Sequence, residues 1–508
     1  MNSKATLYNE LVHQLAELVD LGNIEQLLHY DMRTYMPRNG ARDRAGQLET
    51  LSSVIHRGWT SDELGKLIED LSSEYLDSTF HPQNPDDDKA CLVRIARRMF
   101  DKRRRVPAEF MAEFSRITAE ANQIWEEAKA TSNFSFFLPY LERIIDFRRQ
   151  FAQFFAPYDH IYDVLLDDFE PGMKTAEVQS IFGELRTSQV ELIRAILEKP
   201  PVEHSFLFGN FPEAKQWDCG MEVLKLFGFN PNRSRQDRSV HPFTSGMGLD
   251  DVRFTTRIDP NYFGSALFAS MHEAGHAFYQ LGFNPEYRRS PLAEGASLGM
   301  HESQSRLWEN LVGRSFAFWK FFYPTFQRYF PEQVGDVSLE QFYKGINRVI
   351  PSFIRVEADE ATYNLHIMLR LELEISLMEG SLEARDLPAA WNSRMQEYLG
   401  LTPPDDARGV LQDVHWSSGL IGYFPTYALG NLISVQIWDS IQRDIPNLTD
   451  QIEQGKFSDL LEWLRVNVHQ YGAKYEPQVL VQKITGSAID PKPYLRYLKI
   501  KFGEIYQL

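Results

Sequence analysis

Apolar residues in the first half of the chain recur at three- and four-residue spacing. Leu7, Leu11, Leu15 and Leu18 form one such stripe, followed by Leu21-Gly22, and predict an amphipathic helix. The same period runs through 40–57, 62–76 and 107–155 and predicts further helices. Asn84-Pro-Asp-Asp-Asp-Lys89 reads as a turn with helix-start character. Val106-Pro107 ends a helix, because proline disfavours helical backbone in the residue before it. Between 200 and 262 prolines, glycines, asparagines and aromatics crowd together. There His241-Pro-Phe-Thr-Ser-Gly246 and Asp251-Val-Arg-Phe-Thr-Thr256 predict short extended strands. From 263 the helical period returns, over 298–312, 340–350, 354–378 and 425–443. No internal repeat or flexible linker interrupts the pattern. It predicts residues 1–508 as a single, mainly α-helical body with a small β-sheet near its middle.

Composition narrows the function classes. Of 508 residues, 43% are hydrophobic and 24% charged, as in ordinary globular proteins. The net charge of −17 disfavours nucleic acid, which needs a basic face, and acidic membrane surfaces. Arg94, Arg97, Arg98, Lys102, Arg103, Arg104 and Arg105 form the one basic concentration. On an acidic chain it reads as a solvated helix face with local ion pairs. Cys91 and Cys219 have no ligand-like spacing and read as buried thiols in a reducing compartment. The opening stretch Met1–Glu10 has no long apolar core. A cytoplasmic location is expected from these features. Gly419 to Trp438 is uncharged over a length close to a membrane span. It contains Pro425, Asn431, Ser434 and Gln436, which suit a buried helix better than lipid.

The densest chemistry is His272-Glu273-Ala274-Gly275-His276, flanked by segments of helical character and stopped by Gly282. Residues four apart share a helix face, so both imidazoles can reach one metal with Glu273 turned to the side. Catalytic zinc takes three protein ligands and keeps a fourth position for water. Glu294 and Glu302 are the candidates for the third ligand. Glu294 lies in a loop-like segment, Pro291-Leu-Ala-Glu-Gly-Ala296. Glu302 lies in a helical one and is favoured, because a rigid element holds geometry better. An ion pair with Arg306 at i,i+4 is its bland alternative. His301 is turned about 100° from Glu302 and suits a substrate contact or a donor behind a ligand. Zn²⁺ at such a site lowers the pKa of water to about 7, and Glu273 is the expected general base. Cobalt or another divalent ion can occupy the same ligand set.

Several further segments carry a resemblance. They are His241-Pro-Phe243, Asp251-x-Arg253-x-Thr255 and His301-Glu-Ser-Gln304. Ile354-Arg-Val-Glu-Ala-Asp359 and Gly409-Val-Leu-Gln-Asp-Val-His-Trp416 follow, and Asp31-Met-Arg-Thr-Tyr-Met-Pro37 stands near the start. With the pentad, they make the chain resemble the carboxypeptidase Taq family of zinc metallocarboxypeptidases over nearly its whole length. Tyr30 departs from the pattern, standing where tryptophan is expected.

The resemblance implies a mostly helical fold with a deep active-site cleft, and a homodimer. It implies a metal held by His272, His276 and Glu302. The expected reaction removes single residues from peptides with a free C-terminus, with broad specificity and proline disfavoured. Arg355 matches the carboxylate-binding role, for which a planar guanidinium fork is suited; a pair with Asp359 at i,i+4 is its structural alternative. Arg253, His241 and His301 are further expected substrate contacts, Arg253 also suiting a strut for the sheet. Tyr423, Tyr427 and His415 are candidates for stabilising the oxyanion. An endo-acting zinc oligopeptidase of related helical fold is the alternative activity, and a non-catalytic peptide-binding protein a further one.

Overall fold

A computed structural model describes residues 4–508. Met1, Asn2 and Ser3, part of the opening stretch that lacks an apolar core, lie outside the described residues. Helices carry most of the chain, as the apolar period predicts. The first runs from Lys4 through Gly22 to Thr34. The 107–155 stretch is two helices, Ala108–Ala130 and Phe134–Gln153. They are split where Ser132 takes a positive φ of 51°.

One small sheet lies before the pentad. Strands β1 (Ser234–Arg238), β2 (Thr244–Gly246) and β3 (Val252–Thr256) are ordered β1-β3-β2. β2 pairs antiparallel to β3, with Thr244 opposite Phe254, and β1 pairs parallel to β3. β1 is absent from the sequence expectation because Ser-Arg-Gln-Asp-Arg has no apolar alternation. Its buried positions are the polar Ser234, Gln236 and Asp237. Asp237 accepts from Tyr30 Oη at 2.6 Å, and the Tyr30 ring packs 5.5 Å from that of Phe243. The departure at Tyr30 is thus remote in sequence but lies next to the sheet.

Two expected helices are shorter than their apolar pattern. The 340–350 segment is helical only over Leu339–Ile346, and 354–378 becomes α-helical only from Tyr363. Between them Asp359 accepts from the backbone N–H groups of Ile350, Ala361 and Thr362. A side chain that satisfies those donors competes with helix formation. Asp359 is therefore a loop organiser and not the partner of Arg355.

Buried apolar side chains form two clusters. One gathers the helices between Leu11 and Phe100 together with Tyr287 and Leu292; the other extends from Val106 to Tyr506. The uncharged 419–438 stretch contributes the helix Pro425–Asp444 to the larger cluster. Its polar residues are paired inside the protein: Asn431 donates to Asn364 at 2.7 Å and Gln436 to the Ala488 carbonyl at 2.9 Å. Among the described residues, no helix is long and apolar enough to cross a membrane. The basic run is ion-paired: Arg97 with Glu69 and Asp101, Arg98 with Asp167, and Lys102 with Asp167 and Asp168.

Candidate metal centre and cleft

The pentad lies in the helix Gly264–Leu281, where the His272 and His276 ring centroids are 5.0 Å apart. Gly282 ends that helix as expected, but without a left-handed backbone. A Cβ at this position would sit 2.5 Å from His469 Nδ1, so close approach is what demands glycine. The helix Leu298–Arg306 crosses beside it. Ser297 caps that helix by accepting from Met300 N at 3.0 Å. Gly275 lets the two helices meet: a Cβ there would lie 2.5 Å from the Gln304 carbonyl oxygen.

This crossing brings Glu302 to the two histidines. Its Oε2 is 3.5 Å from His272 Nε2 and 3.4 Å from His276 Nε2. The three potential ligand atoms lie within 4.8 Å of one another. Ligands bound tetrahedrally at about 2.1 Å sit about 3.4 Å apart, so this donor set fits a zinc-sized ion. Glu294 is not part of the cluster; it lines the cleft and has no hydrogen-bond or ion-pair partner among the described residues.

Glu302 also makes the ion pair that was its alternative reading. Arg306 Nε donates to Oε1 at 2.7 Å, on the oxygen that does not face the histidines. Burial opposes charge on Glu302, but Arg306 and His272 hold its pKa well below the usual carboxylate range. His272 Nδ1 donates to Glu309 Oε2 at 2.9 Å. Burial acts against Glu309 as well, yet Arg306, His272 and Arg314 draw its pKa down to about 2. Sequence reasoning missed Glu309. It lies in a widened π-helical turn, Leu307–Val312, that an apolar period cannot distinguish from ordinary helix.

Glu273 turns towards β2. Thr244 Oγ1 lies 2.7 Å from Glu273 Oε2, which leaves Oε1 without a partner among the described residues. Thr244 directly follows the His-Pro-Phe segment, so the sheet positions the carboxylate beside the metal ligands. His301 packs against His276, with the two Nδ1 atoms 2.7 Å apart.

The tyrosines line the same cleft. Tyr427 Oη is 3.2 Å from His415 Nε2, and the Tyr423 and Tyr427 rings are 5.3 Å apart. Burial, helped by Arg355 and Arg370, lowers the His415 pKa to about 4 and leaves the ring neutral near pH 7. Arg355 sits over Tyr427, 5.0 Å from its centroid. Its Nε and Nη2 donate to Asp413 Oδ1, and Nη1 donates to Tyr363 Oη. Arg370 donates to the other oxygen of Asp413 at 2.5 Å. Asp413 and Arg370 thus take the place expected for Asp359.

These groups line one cleft of about 1800 Å³, to which Leu18, Trp59 and Met99 of the N-terminal helices also contribute. Every site residue proposed from sequence lines this cleft except Arg253. Arg253 donates twice to Asp251 at 2.8 Å and stacks over Tyr30, acting as a strut for the sheet.

Known proteins are similar to this chain over nearly their full length. The carboxypeptidase Taq (M32) metallopeptidase family matches residues 10–502. Thermostable carboxypeptidase 1 of Thermus thermophilus is 39% identical, the alignment covering 98% of this chain and 99% of the relative. Carboxypeptidase 1 of Bacillus subtilis is 37% identical over 95% of both chains. The crystal structure of the M32 carboxypeptidase from Deinococcus radiodurans R1 superposes with a TM-score of 0.95 at 39% identity. It covers 99% of this chain and 100% of that one. The chain therefore belongs to the carboxypeptidase Taq (M32) metallopeptidase family, which supports metal-dependent carboxypeptidase activity on peptides.

Proposed function

We propose that this protein is a zinc carboxypeptidase that releases single amino acids from peptides with a free C-terminus. Broad side-chain tolerance, with proline disfavoured, is part of the proposal. One observation carries the preference for a free carboxylate. Arg355, Arg370 and Asp413 form a buried cluster of two cations and one anion, so one positive charge is left at the cleft wall. Asp413 and Tyr363 engage three of the five N–H groups of Arg355. One N–H remains on each terminal nitrogen, a pair suited to a carboxylate.

A divalent ion on His272, His276 and Glu302 supplies Lewis acidity towards water and the scissile carbonyl. Glu273 Oε1 accepts the proton of the attacking water, while the Thr244 hydroxyl fixes Oε2. The same oxygen then delivers the proton to the leaving amine. Tyr423 and Tyr427 line the same cleft, and a hydroxyl from one of them stabilises the developing negative charge. His241, exposed at the cleft rim, is placed to touch the substrate.

A homodimer in a reducing cytoplasm completes the proposal. Both cysteines are free and buried, and light scattering tests the dimer.

The activity is tested by incubating the protein with a peptide and with its C-terminal amide, following both by mass spectrometry. A ladder from the acid and resistance of the amide support the reading. Equal cleavage of the two would sink it, and internal fragments would favour an endopeptidase. Unchanged peptide processing in Glu273→Gln would favour a non-catalytic binder.

A further inference from the structure

His272 and His276 are supported differently on the sides that face away from the cluster. His272 Nδ1 points at a carboxylate, Glu309, which can only accept. His276 Nδ1 points at another imidazole nitrogen, His301 Nδ1, at 2.7 Å. His301 Nε2 lies in turn 3.1 Å from the amide of Gln280, one helical turn beyond His276. The three side chains form a continuous line from the metal cluster to β2.

Each link in that line needs one N–H and one lone pair, so the direction of all the links is fixed together. A metal on His276 Nε2 requires the ring proton on Nδ1. That N–H points at His301 Nδ1, which must then be bare. A neutral His301 consequently carries its proton on Nε2, and Gln280 must present its carbonyl oxygen there. The opposite direction also satisfies every link. In it the Gln280 amide NH₂ donates to His301, His301 donates to His276, and His276 keeps a proton on Nε2, 3.4 Å from Glu302. Only the first direction leaves His276 a lone pair for the metal.

Gln280 is the one member that can serve both directions without moving a ring proton, whereas each imidazole must exchange one tautomer for the other. A half-turn of its amide exchanges oxygen and NH₂ at nearly constant shape. Gln280 Oε1 is buried and has no hydrogen-bond partner, while Nε2 faces His301, so no bond to Oε1 opposes that half-turn. The space for the amide comes from a glycine on β2. A Cβ at Gly246 would fall on the Gln280 amide group, with its carbonyl carbon at 3.2 Å.

We propose that Gln280 is a positioning residue that sets the tautomer of His276 through His301, and so sets how tightly the site binds its divalent ion. Gly246 keeps the amide free to present its oxygen. This rests on His272, His276 and Glu302 being the metal site.

The test is the affinity for Zn²⁺ alone, measured by competition with a chromophoric chelator on the full chain. Gln280→Glu can only accept and holds the metal-competent direction; its affinity is expected to match or exceed that of the parent. Gln280→Lys can only donate and drives the line the other way; its affinity is expected to fall about 10–100-fold, as for other partners of metal-ligating histidines. Gln280→Met, which neither donates nor accepts, should fall between them and serves if the lysine variant does not fold. Gly246→Ala should weaken zinc in the parent by crowding the amide. A merely structural role would make the glutamate and lysine variants weaken together, or leave both unchanged, and either result overturns the proposal. Glu302→Ala is the separate control: if it still bound one zinc per chain at parental affinity, the metal site itself would be misassigned.

Discussion

Arg306 and Glu302 lie one helical turn apart, and Arg306 Nε holds Glu302 Oε1 at 2.7 Å while Oε2 faces both histidines. The same guanidinium reaches Glu309 Oε2 at 3.2 Å. One buried cation thus pairs with two buried carboxylates, and Arg314 adds a second cation only to Glu309, at 3.4 Å. Removing a partner from a buried pair leaves an uncompensated charge, at a cost of about 3–5 kcal/mol. Arg306→Leu is expected to destabilise the metal-depleted protein by that order. The loss should be smaller with zinc bound, because the ion replaces part of the missing positive charge. Urea unfolding with and without a chelator measures the difference. An equal loss in both conditions would show that Arg306 does not share the burden with the metal.

Glu302 and Glu294 were both plausible third ligands, and only Glu302 joins the cluster. Glu302→Ala is expected to lose most bound zinc, whereas Glu294→Ala should retain it. Metal analysis after gel filtration checks both; the reverse result would place the metal elsewhere.

Much of this site was legible because its ligands follow helical spacing. His272 and His276 are four apart, and Glu302 sits where a helix carries Leu307 and Leu311. The partners that orient the ligands were harder to read. Glu309 hides in a π turn, and Thr244 acts from a strand 29 residues before Glu273. Asp413 lies within Gly409–Trp416, one of the segments that carry the resemblance, but its pairing with Arg355 joins positions 58 residues apart with two helices between them. Helical periodicity also overran at 347–350 and 354–362, because a single side chain, Asp359, satisfies the backbone there. β1 was invisible for a related reason: polar contacts bury it.

The tyrosine wall has an internal direction. His415 Nδ1 is buried without a partner, so the ring proton is better placed on Nε2, donating to Tyr427. With that hydrogen accepted, the Tyr427 hydroxyl is free to donate towards Tyr423, whose ring is 5.3 Å away. That chain leaves Tyr423 as the terminal donor. Tyr423→Phe is expected to lower kcat about 100-fold with little change in KM, as for the loss of an oxyanion donor. Tyr427→Phe should cost less, since it only weakens the polarisation of Tyr423. Steady-state kinetics on one peptide substrate separates them, and a larger kcat loss in Tyr427→Phe would reverse the assignment.

The ligand helix begins on a buried acid, which makes its stability depend on pH. Glu170 is 1% exposed and accepts from Gly299 N, in the first turn of Leu298–Arg306, and the neighbouring Ser297 side chain also favours its charged form. Burial outweighs these donors and pushes its pKa up to about 8. In the unfolded chain an ordinary glutamate titrates near 4.3. The folded state therefore binds this proton more tightly, and the group's contribution to stability is full at low pH and lost as pH rises through about 8. The Glu170→Gln substitution keeps a carbonyl oxygen for Gly299 N but leaves no charge to bury. The variant should gain stability relative to the parent between pH 5 and pH 8, by an amount on the order of 3–4 kcal/mol. Zinc content should stay unchanged, since the cap of the ligand helix is retained. Paired urea titrations across that range read the difference directly, and a gap that stayed constant or shrank with rising pH would rule out Glu170 as the titrating group.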